Sequence, residues 1–127
     1  MNKNNNFGVG VDIESISRFD KINPIKNKSS LSKFFTENEL DYCFSKKDIS
    51  SHLAARFSAK EAVYKALSSV GITIQDKKDI EIITNHEGVP IVKIDNKKHK
   101  KLNVKISMSH CNDKSIAFAI AMRDKTE

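Results

Sequence analysis

The chain has 127 residues, 39% of them hydrophobic and 30% charged, with a formal net charge of +6. This length suits one domain, and the balance of apolar and charged residues excludes a disordered chain. No apolar run reaches the roughly 18 residues of a membrane-spanning helix, and the basic excess calls for an acidic partner: nucleic acid, a phosphorylated cofactor or an acidic protein.

Residues 1–6 are polar, lack the apolar core of a signal peptide and are expected to fray. Residues 7–12 alternate Phe7, Val9 and Val11 with Gly8, Gly10 and Asp12, the pattern of a strand with one closely approached face. A helix is predicted to follow from Asp12, with Ile13, Ile16, Phe19 and Ile22 as its stripe and Asn23-Pro24 as its stop. Thr36 and Glu39 form a T-x-x-E capping box for a short helix through Leu40, Cys43 and Phe44. A long helix is predicted over 51–70, with Gly71 as its stop. The remainder reads as β: strands over 80–83 and 89–94 around the turn 85–88, with Pro90 at a strand start or edge, then a hairpin of 104–108 and 115–122. The predicted fold class is α+β, an antiparallel sheet packed around one long helix in a single domain.

The long helix carries Arg56, Lys60, Glu61 and Lys65 among Ala, Leu, Phe, Val and Tyr. One carboxylate among three cations suits a metal ion and phosphates; it equally suits a solvated ion pair of Glu61 with Lys65 or Lys60. Asp12 is either a helix N-cap or a metal ligand at a strand end. Together Asp12 and Glu61 make the two-carboxylate set that Mg²⁺ uses, with water and phosphate oxygens completing its shell. His110, at a strand end beside serines, is either a structural hydrogen-bonder or a donor to phosphate. Gly8 and Gly10 lack the third glycine of a dinucleotide fingerprint. The four histidines, Cys43 and Cys111 lack zinc-site spacing and a disulfide framework, so a reducing cytoplasm is expected. The run Lys97, Lys98, Lys100 and Lys101 reads as a solvated connector.

Four segments in order resemble the short class of 4′-phosphopantetheinyl transferase, the holo-acyl-carrier-protein synthases. GVGVDIESISRF (8–19) is similar to the family's G-x-G-x-D-I-x-x-I-x-R opening, and FTENELDYC (35–43) to its F-T-x-x-E-x-x-Y segment. HLAARFSAKEAVYKAL (52–67) resembles R-F-A-x-K-E-A-x-x-K-A, and ISMSHCNDKSIAFAIA (106–121) the closing S-x-S-H hairpin. The resemblance implies Mg²⁺-dependent transfer of 4′-phosphopantetheine from coenzyme A to a serine of an apo acyl carrier protein, releasing adenosine 3′,5′-bisphosphate. By it, Asp12 and Glu61 hold Mg²⁺, Lys65 neutralises the transferred phosphoryl group and His110 contacts phosphate. Arg56 and Lys60 position phosphates or the subunit interface. Arg18 meets the acidic carrier, with Lys21, Lys26 and Lys28 beside it. It also implies a homotrimer with sites between subunits. Ser68-Ser69-Val70-Gly71 departs from the family's Gly-Thr-Gly-like loop, which bears on the adenosine contacts. The rival readings are a Mg²⁺-dependent phosphohydrolase and a basic nucleic-acid-binding domain; for the latter no aromatic-rich basic strand is present, and nucleic acid is not the expected partner.

Overall fold

The computed structural model describes residues 6–95 and 102–123. The first five residues and the basic run 96–101, with Lys97, Lys98, Lys100 and Lys101, lie outside them. In chain order the elements are β1 (Phe7–Ser15), a 3-10 turn (Ile16–Phe19), α1 (Lys28–Leu31), α2 (Glu37–Phe44), α3 (Ile49–Ser69), a second 3-10 turn (Lys77–Asp79), β2 (Ile80–Thr84), β3 (Pro90–Ile94), β4 (Leu102–His110) and β5 (Lys114–Arg123). They form a three-stranded antiparallel sheet in the order β1-β5-β4 and a two-stranded antiparallel sheet of β2 and β3, both around α3.

Helix α3 is held at both ends. The Asp48 side chain accepts from the Ser51 amide at its start. At its end Gly71 takes φ +85°, which lets its amide reach Ser68 O and the Ile72 amide reach Leu67 O. Those two bonds make a Schellman stop, and Ile72 and Leu67 bury in the same core. Along its length α3 presents small buried residues, Ala59, Ala62 and Ala66, to the sheet.

Those alanines explain the glycines of β1. A Cβ at Gly10 would run into the Ala62 carbonyl oxygen and lie 2.7 Å from the Ala66 amide nitrogen; one at Gly8 would strike the Ser69 hydroxyl. Backbone therefore packs on backbone, and β1 lies closer to α3 than any side chain would allow. Around this contact Val63, Leu67, Ile80, Ile82 and Ala119 form one core, while Phe19, Phe35, Leu40 and Leu53 form a second around α1 and α2.

The helix predicted from Asp12 does not form. β1 instead runs three residues further, paired with β5 as far as Ser15 opposite Lys114. Strand β5 supplies β1 with a complete ladder there, which outweighs the helical spacing of four apolar residues. That stripe divides accordingly: Ile13 stays on the outer sheet face at 59% exposure, while Phe19 buries in the second core. The Thr36–Glu39 capping box is present in both directions, and Pro90 opens β3 opposite Thr84. The outer face of the three-stranded sheet leaves Phe7, Val9, Val11, Ile13, Ile116 and Phe118 exposed.

Candidate active site

Asp12 faces α3 from the edge strand β1, on the same side as the two glycines. Lys65 reaches across from α3: its Nζ donates to Val11 O at 3.0 Å and lies 3.4 Å from Asp12 Oδ1. Glu61, one helical turn earlier, is not paired with Lys65 or Lys60 as the sequence suggested. Its Oε2 accepts from Lys77 Nζ at 3.0 Å, and both side chains remain about a quarter exposed. Burial raises the Asp12 pKa above the ordinary aspartate value; Lys65 works against this, and the charges of Glu14 and Glu61 add to it. Asp12 and Glu61 are thus close enough to feel one another, each with a lysine at its side.

Asp12 Oδ2 is buried and has no hydrogen-bond partner. A carboxylate oxygen left bare inside a protein is costly unless something positive meets it. A divalent cation fits this gap, since two carboxylates with water and phosphate oxygens are what Mg²⁺ uses. Among the described residues no group of three or more His, Cys, Asp or Glu stands ready for a metal, so a closed zinc-type site does not fit.

Other residues chosen from the sequence lie elsewhere. Lys60 is fully buried, its Nζ 2.7 Å from Glu39 Oε1, with the Phe34 and Phe35 rings at 5.3 and 5.8 Å. Desolvation lowers its pKa, with Glu39 opposing. Glu39 also accepts from the Ile82 amide, so the pair ties α2, α3 and β2 together, and Lys60 has no exposed surface to offer a phosphate. Arg56 is also buried: it donates to Thr84 Oγ1 at 2.7 Å and stacks over Tyr42. Arg56 Nε, like Asp12 Oδ2, is buried without a hydrogen-bond partner.

His110 ends β4, and β5 separates it from β1, so within one chain it stands two strand spacings, about 9–10 Å, from the Asp12 strand. It lines a separate open cleft of 560 Å³ with Cys111 and Asn112, across from Asp48 and Ser51 at the start of α3. Arg18 is half exposed, pairs with Glu14 at 3.0 Å and lies over the Phe57 ring. Lys21, Lys26 and Lys28 are exposed nearby in sequence, with Ile25 at 90% exposure between them. Lys77 was not legible in advance. It lies in a polar loop 16 residues beyond Glu61, with no periodic signal to mark it.

The family model described as 4′-phosphopantetheinyl transferase superfamily matches residues 8–121. The chain belongs to that superfamily. A holo-[acyl-carrier-protein] synthase of Thermodesulfovibrio yellowstonii is 43% identical over 114 residues, covering 89% of this chain and 96% of the relative. Within the superfamily the chain is an enzyme of the holo-acyl-carrier-protein synthase class. Its fold is that of the solved synthases. A Bacillus anthracis synthase in complex with CoA (3′,5′-ADP) superimposes with a TM-score of 0.73 at 28% identity, covering 92% of this chain and 96% of that one. The Chronobacterium ammoniagenes ACPS–CoA complex has a TM-score of 0.76 at 21% identity, covering 94% and 98%, and speaks for the fold.

Proposed function

We propose that the chain transfers 4′-phosphopantetheine from coenzyme A to a serine of an apo acyl carrier protein, with Mg²⁺, releasing adenosine 3′,5′-bisphosphate. The observation that carries this reading is the convergence of Asp12, with its bare buried oxygen, Glu61 and Lys65 on one side of α3. The serine oxygen attacks the phosphorus that bears pantetheine, and the bond to the adenosine-bearing phosphate breaks. Mg²⁺ held by Asp12 and Glu61 would offset charge on the diphosphate oxygens. Lys65, already fixed by the Val11 carbonyl, keeps its ammonium where charge develops on the transferred phosphoryl group. For the hydroxyl proton, Glu61 and site water are the two acceptors this arrangement offers.

The working unit is a homotrimer with sites between subunits. Two features support this: the outer sheet face exposes Phe7, Val9, Val11, Ile13 and Phe118, and His110 is held away from the carboxylates of its own chain. A neighbouring copy can then present His110 to the phosphates. Arg18, Lys21, Lys26 and Lys28 form the basic surface for the acidic carrier, and the cytoplasm is its compartment, consistent with two free cysteines.

The test is intact mass of an apo acyl carrier protein after incubation with this chain, coenzyme A and Mg²⁺. The expected result is a gain of one phosphopantetheine group, abolished by chelator and by Glu61→Gln. No gain with several unrelated carriers sinks the reading, and coenzyme A cleavage without a carrier replaces it with the phosphohydrolase. Sedimentation at micromolar concentration tests the trimer, which a monomer mass overturns.

A further inference from the structure

Each carboxylate of the site has a lysine beside it, but the two lysines are held differently. Lys65 has an anchor of its own, the Val11 carbonyl at 3.0 Å, and approaches Asp12 only to 3.4 Å. Lys77 donates to Glu61 Oε2 at 3.0 Å, and among the described residues that is its one side-chain hydrogen bond. Its Nζ also lies 4.3 Å from the centre of the Tyr64 ring and 5.6 Å from that of Phe34. Beneath it the Asp76 side chain accepts from the Lys78 amide and caps the 3-10 turn that carries Lys77.

We propose that Lys77 is a displaceable counter-ion: it neutralises Glu61 until a divalent cation takes that carboxylate, and then keeps only the contact with the Tyr64 ring that it already makes. This rests on the reading of Asp12 and Glu61 as the cation site. A partly exposed ion pair is weak enough for a divalent ion to break. The Tyr64 face gives the displaced ammonium a place to stay without full return to water. Lys77 thereby sets how tightly the site takes its ion, because every binding event must break this pair.

The probe is Mn²⁺, titrated against the full chain without coenzyme A and followed by the loss of the free-ion electron paramagnetic resonance signal. Lys77→Met keeps the alkyl stem on Tyr64 and removes the charge. It is expected to bind Mn²⁺ about 5-fold tighter at low salt, with the gap closing at high ionic strength. Lys77→Arg is expected to stay within about 2-fold of the parent chain, and so is Lys78→Met, which removes an equal charge one residue away and controls for general electrostatics. Lys77→Gln replaces the methionine variant if that does not fold. Unchanged or weaker Mn²⁺ binding by the neutral variants overturns the proposal, as does an equal gain from Lys78→Met. If the parent chain binds Mn²⁺ and Glu61→Gln does not, such a failure leaves the cation site standing. If neither binds, the site reading falls as well.

Discussion

Lys60 and Glu61 are neighbours on α3, yet their ion pairs are opposite in kind. Lys60 and Glu39 are both fully buried at 2.7 Å, with the carboxylate further held by the Ile82 and Thr36 amides. Glu61 and Lys77 meet at 3.0 Å with about a quarter of each side chain in solvent, and among the described residues no further side-chain hydrogen bond holds either one. A sealed pair can be broken only by leaving a charge in the core, so it serves as a fixed joint between α2, α3 and β2. An open pair can exchange its partner for water or an ion at little cost, so it suits a site. One step along a helix turns the side chain by roughly 100°, which is enough to move it from the joint to the site.

The largest effect is expected at the joint. Glu39→Gln leaves the Lys60 ammonium buried without its counter-charge and is expected to cost about 3–5 kcal/mol, read by urea denaturation. A loss below about 1 kcal/mol would mean that the pair is no more than a surface bridge. Gly10→Ala attacks the site side alone. Its Cβ meets the Ala62 carbonyl and the Ala66 amide, so β1 must move off α3. About 1–3 kcal/mol of stability is expected to go, and with it the register of Asp12 against Glu61 and hence Mn²⁺ binding.

Asp48→Ala removes the cap of the same helix and is expected to cost about 1 kcal/mol at neutral pH. The Ser51 hydroxyl and amide hold the Asp48 pKa below the ordinary aspartate value. A carboxyl whose folded pKa is depressed stabilises the fold above its unfolded pKa and loses that contribution as pH falls through the folded one. The difference between parent and variant, measured by denaturation across acid pH, is therefore expected to vanish at the acid end. Glu61→Gln, in the open pair, is expected to shift stability by under about 1 kcal/mol while abolishing transfer, the reverse of Glu39→Gln.

The smallest perturbation leaves stability untouched and reads the two environments by thiol chemistry. Cys43 lies on α2 near the joint, where burial pushes its thiol pKa up to about 12, whereas Cys111 is exposed. A disulfide reagent at neutral pH is expected to modify Cys111 at once and Cys43 only on unfolding. Equal rates would mean that the α2 side opens as readily as the β4–β5 turn.

What the sequence alone determined was local. The capping box at Thr36 and Glu39, the long helix with its stop at Gly71 and the β4–β5 hairpin all follow from neighbours within a few residues. The glycine pattern of β1 announced a close approach, and the four motifs announced the family. Partnership, by contrast, depended on how the elements pack together. Lys60 meets Glu39 from 21 residues away, Lys77 meets Glu61 across 16, and Lys65 meets the Val11 carbonyl across 54. The spacing of Glu61 and Lys65 fits a helical ion pair, but the glycines bring β1 so near α3 that the strand's free edge captures Lys65 instead. Helical spacing likewise suggested a helix after Asp12, and pairing with β5 made it a strand. Periodicity fixes which way a side chain points from its own element; which charge or backbone it finds there depends on the element packed opposite.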